Sequence, residues 1–249
     1  MTMNQDWVTY PDLASITAAA TQFVIAAAER SIRARGVFHW ALCGGSTPKP
    51  LYQHLASAEV RSAIDWARVQ TWFGDERCCP PDHADSNYRM AREALLDPLA
   101  LPAERVHRIR GEAPDRVLEA ARLAEEVTGS VPAEQGWPCF DFLLLGMGAD
   151  GHTASLFPGT GAALERAVVA LTVMPGAYVK PQMARVSLSA PVIQHAREVL
   201  VLIAGADKAE ALKDVRDGSL ALDHRPLQLL RQATGRVRWL VEAAAAARL

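Results

Sequence analysis

His152 stands two residues after Asp150 in the stretch GMGADGH, residues 146–152, directly behind the apolar run 140–145. An imidazole titrates near neutrality, so a histidine held at a strand end is suited to take a proton from water at physiological pH. A carboxylate two residues away can orient its ring. The same residues also read as a plain turn in which Asp150 caps whatever follows. Gly146, Gly148 and Gly151 make a Gly-x-Gly-x-x-Gly spacing, which raises dinucleotide binding. That fingerprint needs a long helix after the glycines and an acidic residue about 20 positions on. Pro158, Gly159 and Gly161 stop any helix that begins near His152 within two turns. No nucleotide cofactor is expected.

Two further stretches carry groups of the right kind. In CGGSTP, residues 43–48, Gly44 and Gly45 allow a sharp turn and close backbone approach. Ser46 or Thr47 can cap a helix starting near Pro48, whose free N–H groups would favour a phosphate. No Gly-Lys-Ser/Thr follows, so this is no nucleotide P-loop. In GDER, residues 74–77, three consecutive charges end an apolar run. Arg77 offers a bidentate fork to a phosphate or carboxylate, and Asp75 and Glu76 offer acid–base chemistry or a partner for a base. The competing reading is a solvated loop of local ion pairs. Asp82, His83 and Asp85 do not suggest a metal: Asp85 or Ser86 is placed to cap a helix near Asn87, and no ligand spacing accompanies them. Lys208 opens a helix after the run VLVLIA, and Arg185 heads RVSLS; with Arg77 and the GGST turn they could form one phosphate pocket.

These residues must be positioned by the elements around them. Apolar, β-rich runs at 37–42, 69–73, 106–109, 140–145, 167–173, 185–189, 199–203 and 237–240 alternate with helical patterns at 16–33, 86–96, 114–128 and 208–216. Such alternation predicts a parallel sheet covered by helices on both faces. In sheets of this kind ligands bind beyond the carboxyl ends of the strands, where all three stretches fall. The loop-like segment 129–138 joins a helix to a strand, and no linker divides the chain, so residues 1–249 are expected to form one α/β domain.

Composition narrows the function classes. Half of the 249 residues are hydrophobic, 22% are charged and the net charge is -2. Nothing favours nucleic acid or an anionic membrane as a partner. The opening residues lack a basic segment followed by an apolar one, and no apolar run is long enough to span a bilayer. Cys43, Cys78, Cys79 and Cys139 show neither C-x-x-C nor zinc spacing, which fits reduced thiols in a cytoplasmic protein.

Taken in order, CGGSTPKPLY, WFGDERCCPPDHADSNYRMAREALL, DFLLLGMGADGHTASLFPGT, RVSLSAPVI and VLIAGADKAEAL resemble the 6-phosphogluconolactonase family over nearly the whole chain. The resemblance implies a Rossmann-like three-layer α/β sandwich shared with glucosamine-6-phosphate deaminases and ribose-5-phosphate isomerases. It implies hydrolysis of 6-phospho-D-glucono-1,5-lactone in the oxidative pentose phosphate pathway, with no cofactor and no metal. His152 falls on the general base; Asp150 or Asp75 would orient it. Gly44, Gly45, Ser46, Thr47, Arg77, Gly148, Arg185 and Lys208 fall on the substrate side. The only partner implied is the small sugar-phosphate lactone, in a monomer or small homo-oligomer. Cys79 and Glu242 depart from the family pattern, where an aliphatic residue and an aspartate are usual. A deaminase would continue after the histidine with a glutamate-bearing segment reading like HIAFNEP; here HTASLFP follows, with no acid before Glu165. A sugar-phosphate-sensing regulator would need a DNA-binding segment, and no basic helix-turn-helix precedes the fold.

Overall fold

The computed structural model describes residues 5–249. In chain order it runs β1 (Gln5–Tyr10), α1 (Leu13–Arg35), β2 (Phe38–Leu42), α2 (Lys49–Leu55), β3 (Val69–Phe73), β4 (Asp75–Arg77), α3 (Asn87–Ala91), β5 (Val106–His107), α4 (Arg116–Ser130), β6 (Ala133–Glu134), β7 (Trp137–Pro138), β8 (Phe142–Gly146), β9 (Ala170–Val173), β10 (Arg185–Leu188), α5 (Ala190–Gln194), β11 (Glu198–Ile203), α6 (Ala209–Asp217) and β12 (Arg236–Glu242). Seven strands form an all-parallel sheet in the order β1-β12-β11-β8-β2-β3-β5. Its central strands are buried on both faces, as their unbroken apolar runs require. From β2 the chain winds outward through β3 to β5; from β8 it winds the other way through β11 to β12. The winding therefore reverses between neighbouring β2 and β8, and the loops leaving their carboxyl ends part to form a crevice.

The expected strands at 167–173 and 185–189 do not join that sheet. They shorten to β9 and β10, and β10 pairs antiparallel with β9 on one side and β4 on the other in a separate three-stranded sheet. The link is Gly74. Its N–H donates to Leu42 O on β2 (2.8 Å), while its carbonyl accepts from Leu188 N on β10 (2.8 Å). One extended segment thus leaves the main sheet at Gly74 and enters the second, and α4 covers that second sheet. This bend explains how Asp75 and Glu76 come to be buried instead of lying in a solvated loop.

Other boundaries shift for local reasons. The first strand, β1, adds an edge that its weak alternation of apolar and polar residues hides in the sequence. Within 129–138 a small hairpin closes through Gln135 and Gly136, both with positive φ (52° and 85°), the geometry that suits a two-residue β-turn. The helix expected over 86–96 is α3 followed by a single π turn at Arg92–Leu96. Among the described residues no helix is long and apolar enough to cross a membrane. The four cysteines are free thiols.

Candidate active site

The loops leaving β2, β3 and β8, with the turn after β11, surround a cleft of about 400 Å³, within the usual range for small-ligand sites (roughly 300–1,000 Å³). Gly44, Gly45, Ser46, Thr47, Asp75, Arg77, Gly148, His152 and Lys208 all line it. Asp150 stands immediately behind His152, and Arg185 does not reach the cleft wall.

No helix follows the turn after β8; Thr153 and Leu156 form an isolated bridge instead. The turn is fixed from several sides. Thr153 Oγ1 donates to Gly146 O (2.9 Å), Gly148 N to His152 O (3.0 Å) and Gly151 N to Gly148 O (3.0 Å). Gly151 adopts φ 85°, a conformation that disfavours side chains. From outside, Arg225 Nη1 donates to Asp150 O (3.3 Å) while its Nε and Nη2 hold Asp214.

Within this frame His152 Nδ1 lies 2.6 Å from Asp150 Oδ1, and the His152 main-chain N–H donates to the same oxygen at 3.1 Å. The Tyr178 hydroxyl donates to Asp150 Oδ2 (3.1 Å). Burial pushes the Asp150 carboxyl up. The hydrogen bond and charge of His152 outweigh it and, with Tyr178, bring the carboxyl down to about 2. Asp150 is therefore ionised at neutral pH, and Nδ1 must carry the proton that bridges to it. That tautomer leaves Nε2 as the basic nitrogen of a ring that lines the cleft. The ring also packs against Phe157, with centroids 4.5 Å apart. Gly148 makes room for the pair: a Cβ there would sit 2.1 Å from His152 Nδ1 and 2.7 Å from Asp150 Oδ1.

Asp75, the other acid considered for orienting His152, is engaged elsewhere. Its Oδ2 accepts from Ser155 Oγ (2.5 Å), and its Oδ1 and main-chain oxygen accept from Asn87 Nδ2 (3.2 and 2.9 Å). Glu76 turns away from the cleft to organise the start of α3. It accepts from Ser86 Oγ and from the main-chain N–H groups of Arg77, Asn87 and Tyr88. Burial raises its carboxyl, and those donors counter the rise without cancelling it. Ser86 caps the helix through Arg89 N (3.1 Å).

The cationic groups differ from one another. Arg77 has no carboxylate partner among the described residues. Its Nη1 donates to Asp85 O, and its Nε is buried without a hydrogen-bond partner. Lys208 is held by Asp207 (2.8 Å), whose carboxylate is largely exposed, so this pair is weakly bound and open to competition. The helix expected to begin with Lys208 starts one residue later, at α6, after a 3₁₀ turn. Arg185 is only 2% exposed, and its guanidinium donates to the main-chain oxygens of Met183 and Pro181. Burial, then the neighbouring charge of Arg77, lowers its basicity. Ser46 and Thr47 do not cap a helix: α2 has only seven residues, and Pro48 occupies its cap position without a side-chain bond.

Asn87, Ser155, Tyr178 and Arg225 were not marked as functional in the sequence. Ser155 carried a weak signal, being in the same turn as His152. Tyr178 and Arg225 arrive from 28 and 75 residues away from Asp150, with no local pattern to announce them.

Residues 11–239 match the model of a family described as glucosamine-6-phosphate isomerases/6-phosphogluconolactonase. The chain is 36% identical to a 6-phosphogluconolactonase of a Nostoc species over 242 residues, 96% of each protein. Its structure superposes on the 6-phosphogluconolactonase from Trypanosoma cruzi with a TM-score of 0.89 at 30% identity, covering 100% of this chain and 98% of that one. A monomeric glucosamine-6-phosphate deaminase shares the fold, with a TM-score of 0.83 at 19% identity over 98% of this chain and 100% of that one. With the family model spanning most of the chain and relatives alike nearly end to end, the protein belongs to the glucosamine-6-phosphate isomerase/6-phosphogluconolactonase family.

Proposed function

We propose that the protein hydrolyses 6-phospho-D-glucono-1,5-lactone to 6-phospho-D-gluconate, the lactonase step of the oxidative pentose phosphate pathway, without a metal and with His152 as general base. The observation that carries this reading is the His152–Asp150 pair: Nδ1 is tied to an ionised carboxylate, and the remaining basic nitrogen belongs to a ring on the cleft wall. Family membership supplies the substrate class. A δ-lactone is already an activated ester, so neither a covalent nucleophile nor a Lewis acid is required.

In this scheme His152 Nε2 takes a proton from water as the water attacks C1. The imidazolium that forms is stabilised by Asp150. The developing oxyanion is met by main-chain N–H groups of the glycine turns or by Arg77. On collapse, the ring oxygen leaves and takes the proton back from the imidazolium, which restores the base. Arg77, Lys208 and the 44–47 turn, which line the same cleft, receive the 6-phosphate. The buried, unpaired Arg77 Nε supports this assignment, because an uncompensated guanidinium is suited to an anion. Arg185 takes no direct part; it lies across from Arg77 on the neighbouring strand.

A deaminase-type proton transfer is less well supported. Glu165, the first acid after His152, accepts from its own Arg166 and Ala167 N–H groups (2.7 Å each) and is not part of the cleft wall. The test is acid release in a pH-stat from freshly generated 6-phosphogluconolactone. The wild type, before and after exhaustive EDTA treatment, is expected to exceed the spontaneous rate equally. His152→Asn is expected to lose about 10²–10⁴-fold in kcat. Near-wild-type turnover by a folded His152→Asn protein refutes the assignment.

A further inference from the structure

The cleft wall contains a polar residue that the scheme above leaves idle. Asn87, the first residue of α3, is only 2% exposed yet lines the same cleft as His152 and Arg77. Its amide has one allowed orientation. Nδ2 faces Asp75 O at 2.9 Å and Asp75 Oδ1 at 3.2 Å, and both are acceptors, so the NH₂ group must point at them. Asp75 is itself anchored through Oδ2 by Ser155 Oγ. Asn87 Oδ1 is therefore turned the other way, buried and with no hydrogen-bond partner. It lies against the Gly44 main chain: a Cβ on Gly44 would sit 1.7 Å from that oxygen. The glycine turn after β2 is thus shaped around the Asn87 carbonyl. An unsatisfied buried acceptor destabilises the free protein, and the strain is relieved when a donor arrives.

We propose that Asn87 Oδ1 accepts a hydrogen bond from a ring hydroxyl of the bound sugar lactone and that Asn87 thereby selects hydroxylated over deoxygenated substrates. The inference rests on the lactonase reading for its substrate. The choice of group follows by elimination. The phosphate dianion and the lactone carbonyl are acceptors, which an amide oxygen does not attract. Only the hydroxyls on C2, C3 and C4 are donors. A site built to pair a hydroxyl disfavours the analogue that lacks it, because its own buried group is then left unpaired.

The experiment compares kcat/KM for the parent 6-phospholactone and its 2-, 3- and 4-deoxy counterparts in wild type, Asn87→Ala and Asn87→Ser. The same series is repeated as calorimetric binding of 6-phosphogluconate and its deoxy counterparts, which needs no turnover. In wild type one deoxy compound is expected to fall roughly 10–100-fold below the parent, and that ratio to collapse towards 1 in both variants. A merely structural Asn87 would lower all four lactones together and leave the ratio intact, which overturns the proposal. Equal use of all four by wild type overturns it as well, even if neither variant folds. If folded wild type turns over none of the lactones, the lactonase reading fails by itself. A binding ratio that collapses in the variants would then still uphold Asn87 as the hydroxyl acceptor, and a wild-type binding ratio of 1 would end both.

Discussion

Replacing Asp150 by Asn isolates the charge of the carboxylate from its geometry. Asn Oδ1 can keep accepting from His152 Nδ1 and from the His152 main-chain N–H, while Nδ2 meets the Tyr178 hydroxyl, which can turn to accept. The tautomer and ring orientation are retained and only the negative charge is lost. The size of that loss follows from the acidity of Asp150. Its carboxyl lies at about 2 against an ordinary value of 3.8, although burial alone would raise it. At ~1.36 kcal/mol per tenfold change in acidity, the groups around Asp150, His152 foremost, favour the ionised form by about 2 kcal/mol net of burial. The side chain is 23% exposed, so solvent screens this interaction only in part. If the same attraction stabilises the imidazolium in the transition state, Asp150→Asn lowers kcat/KM by roughly 30-fold. Initial rates by pH-stat near neutrality, corrected for spontaneous hydrolysis, measure the effect. Turnover within a few-fold of wild type refutes the role given to the carboxylate.

Three other outcomes follow from the same contacts. Gly148→Ala places a methyl group 2.1 Å from His152 Nδ1, so the ring must move, and kcat is expected to fall about 10²-fold in a folded protein; wild-type turnover would show that the turn tolerates the displacement. Arg77→Ala and Lys208→Ala should each shrink the ratio of kcat/KM for the phosphorylated lactone over plain glucono-1,5-lactone by about tenfold or more, the worth of a charge-assisted contact; a wild-type ratio near 1 would remove the phosphate pocket. The depressed Asp150 carboxyl stabilises the folded chain fully above about pH 4, near its unfolded value, and this contribution is lost as the pH falls through about 2. Melting curves of wild type and Asp150→Asn should therefore converge between those two values, and a gap independent of pH would contradict the linkage.

Much of the site was legible in the sequence because its central pair is local. Asp150 and His152 are two residues apart at the end of a buried strand, and Pro158 with the following glycines forbids the helix that a dinucleotide site needs. The three strand-end stretches could be placed together because a parallel sheet sends all its carboxyl ends to one edge. What the sequence left open was settled by contacts between residues distant in the chain. Asp75 or Asp150 could each have served His152; Ser155 and Asn87 occupy Asp75, 80 and 12 residues away from it. Arg185 read as part of the phosphate pocket, but pairing of β10 with β4 sets it across from Arg77 and buries it off the cleft wall. The second sheet was hidden because a strand that bends at Gly74 into another sheet has the same apolar signature as one that ends there. Asn87 looked like nothing more than a helix start, since the orientation of its amide depends on which acceptors the fold brings to it. Periodicity and spacing record which face of an element is buried; partners are chosen by packing, and a buried polar atom acquires its meaning only from the groups that packing places around it.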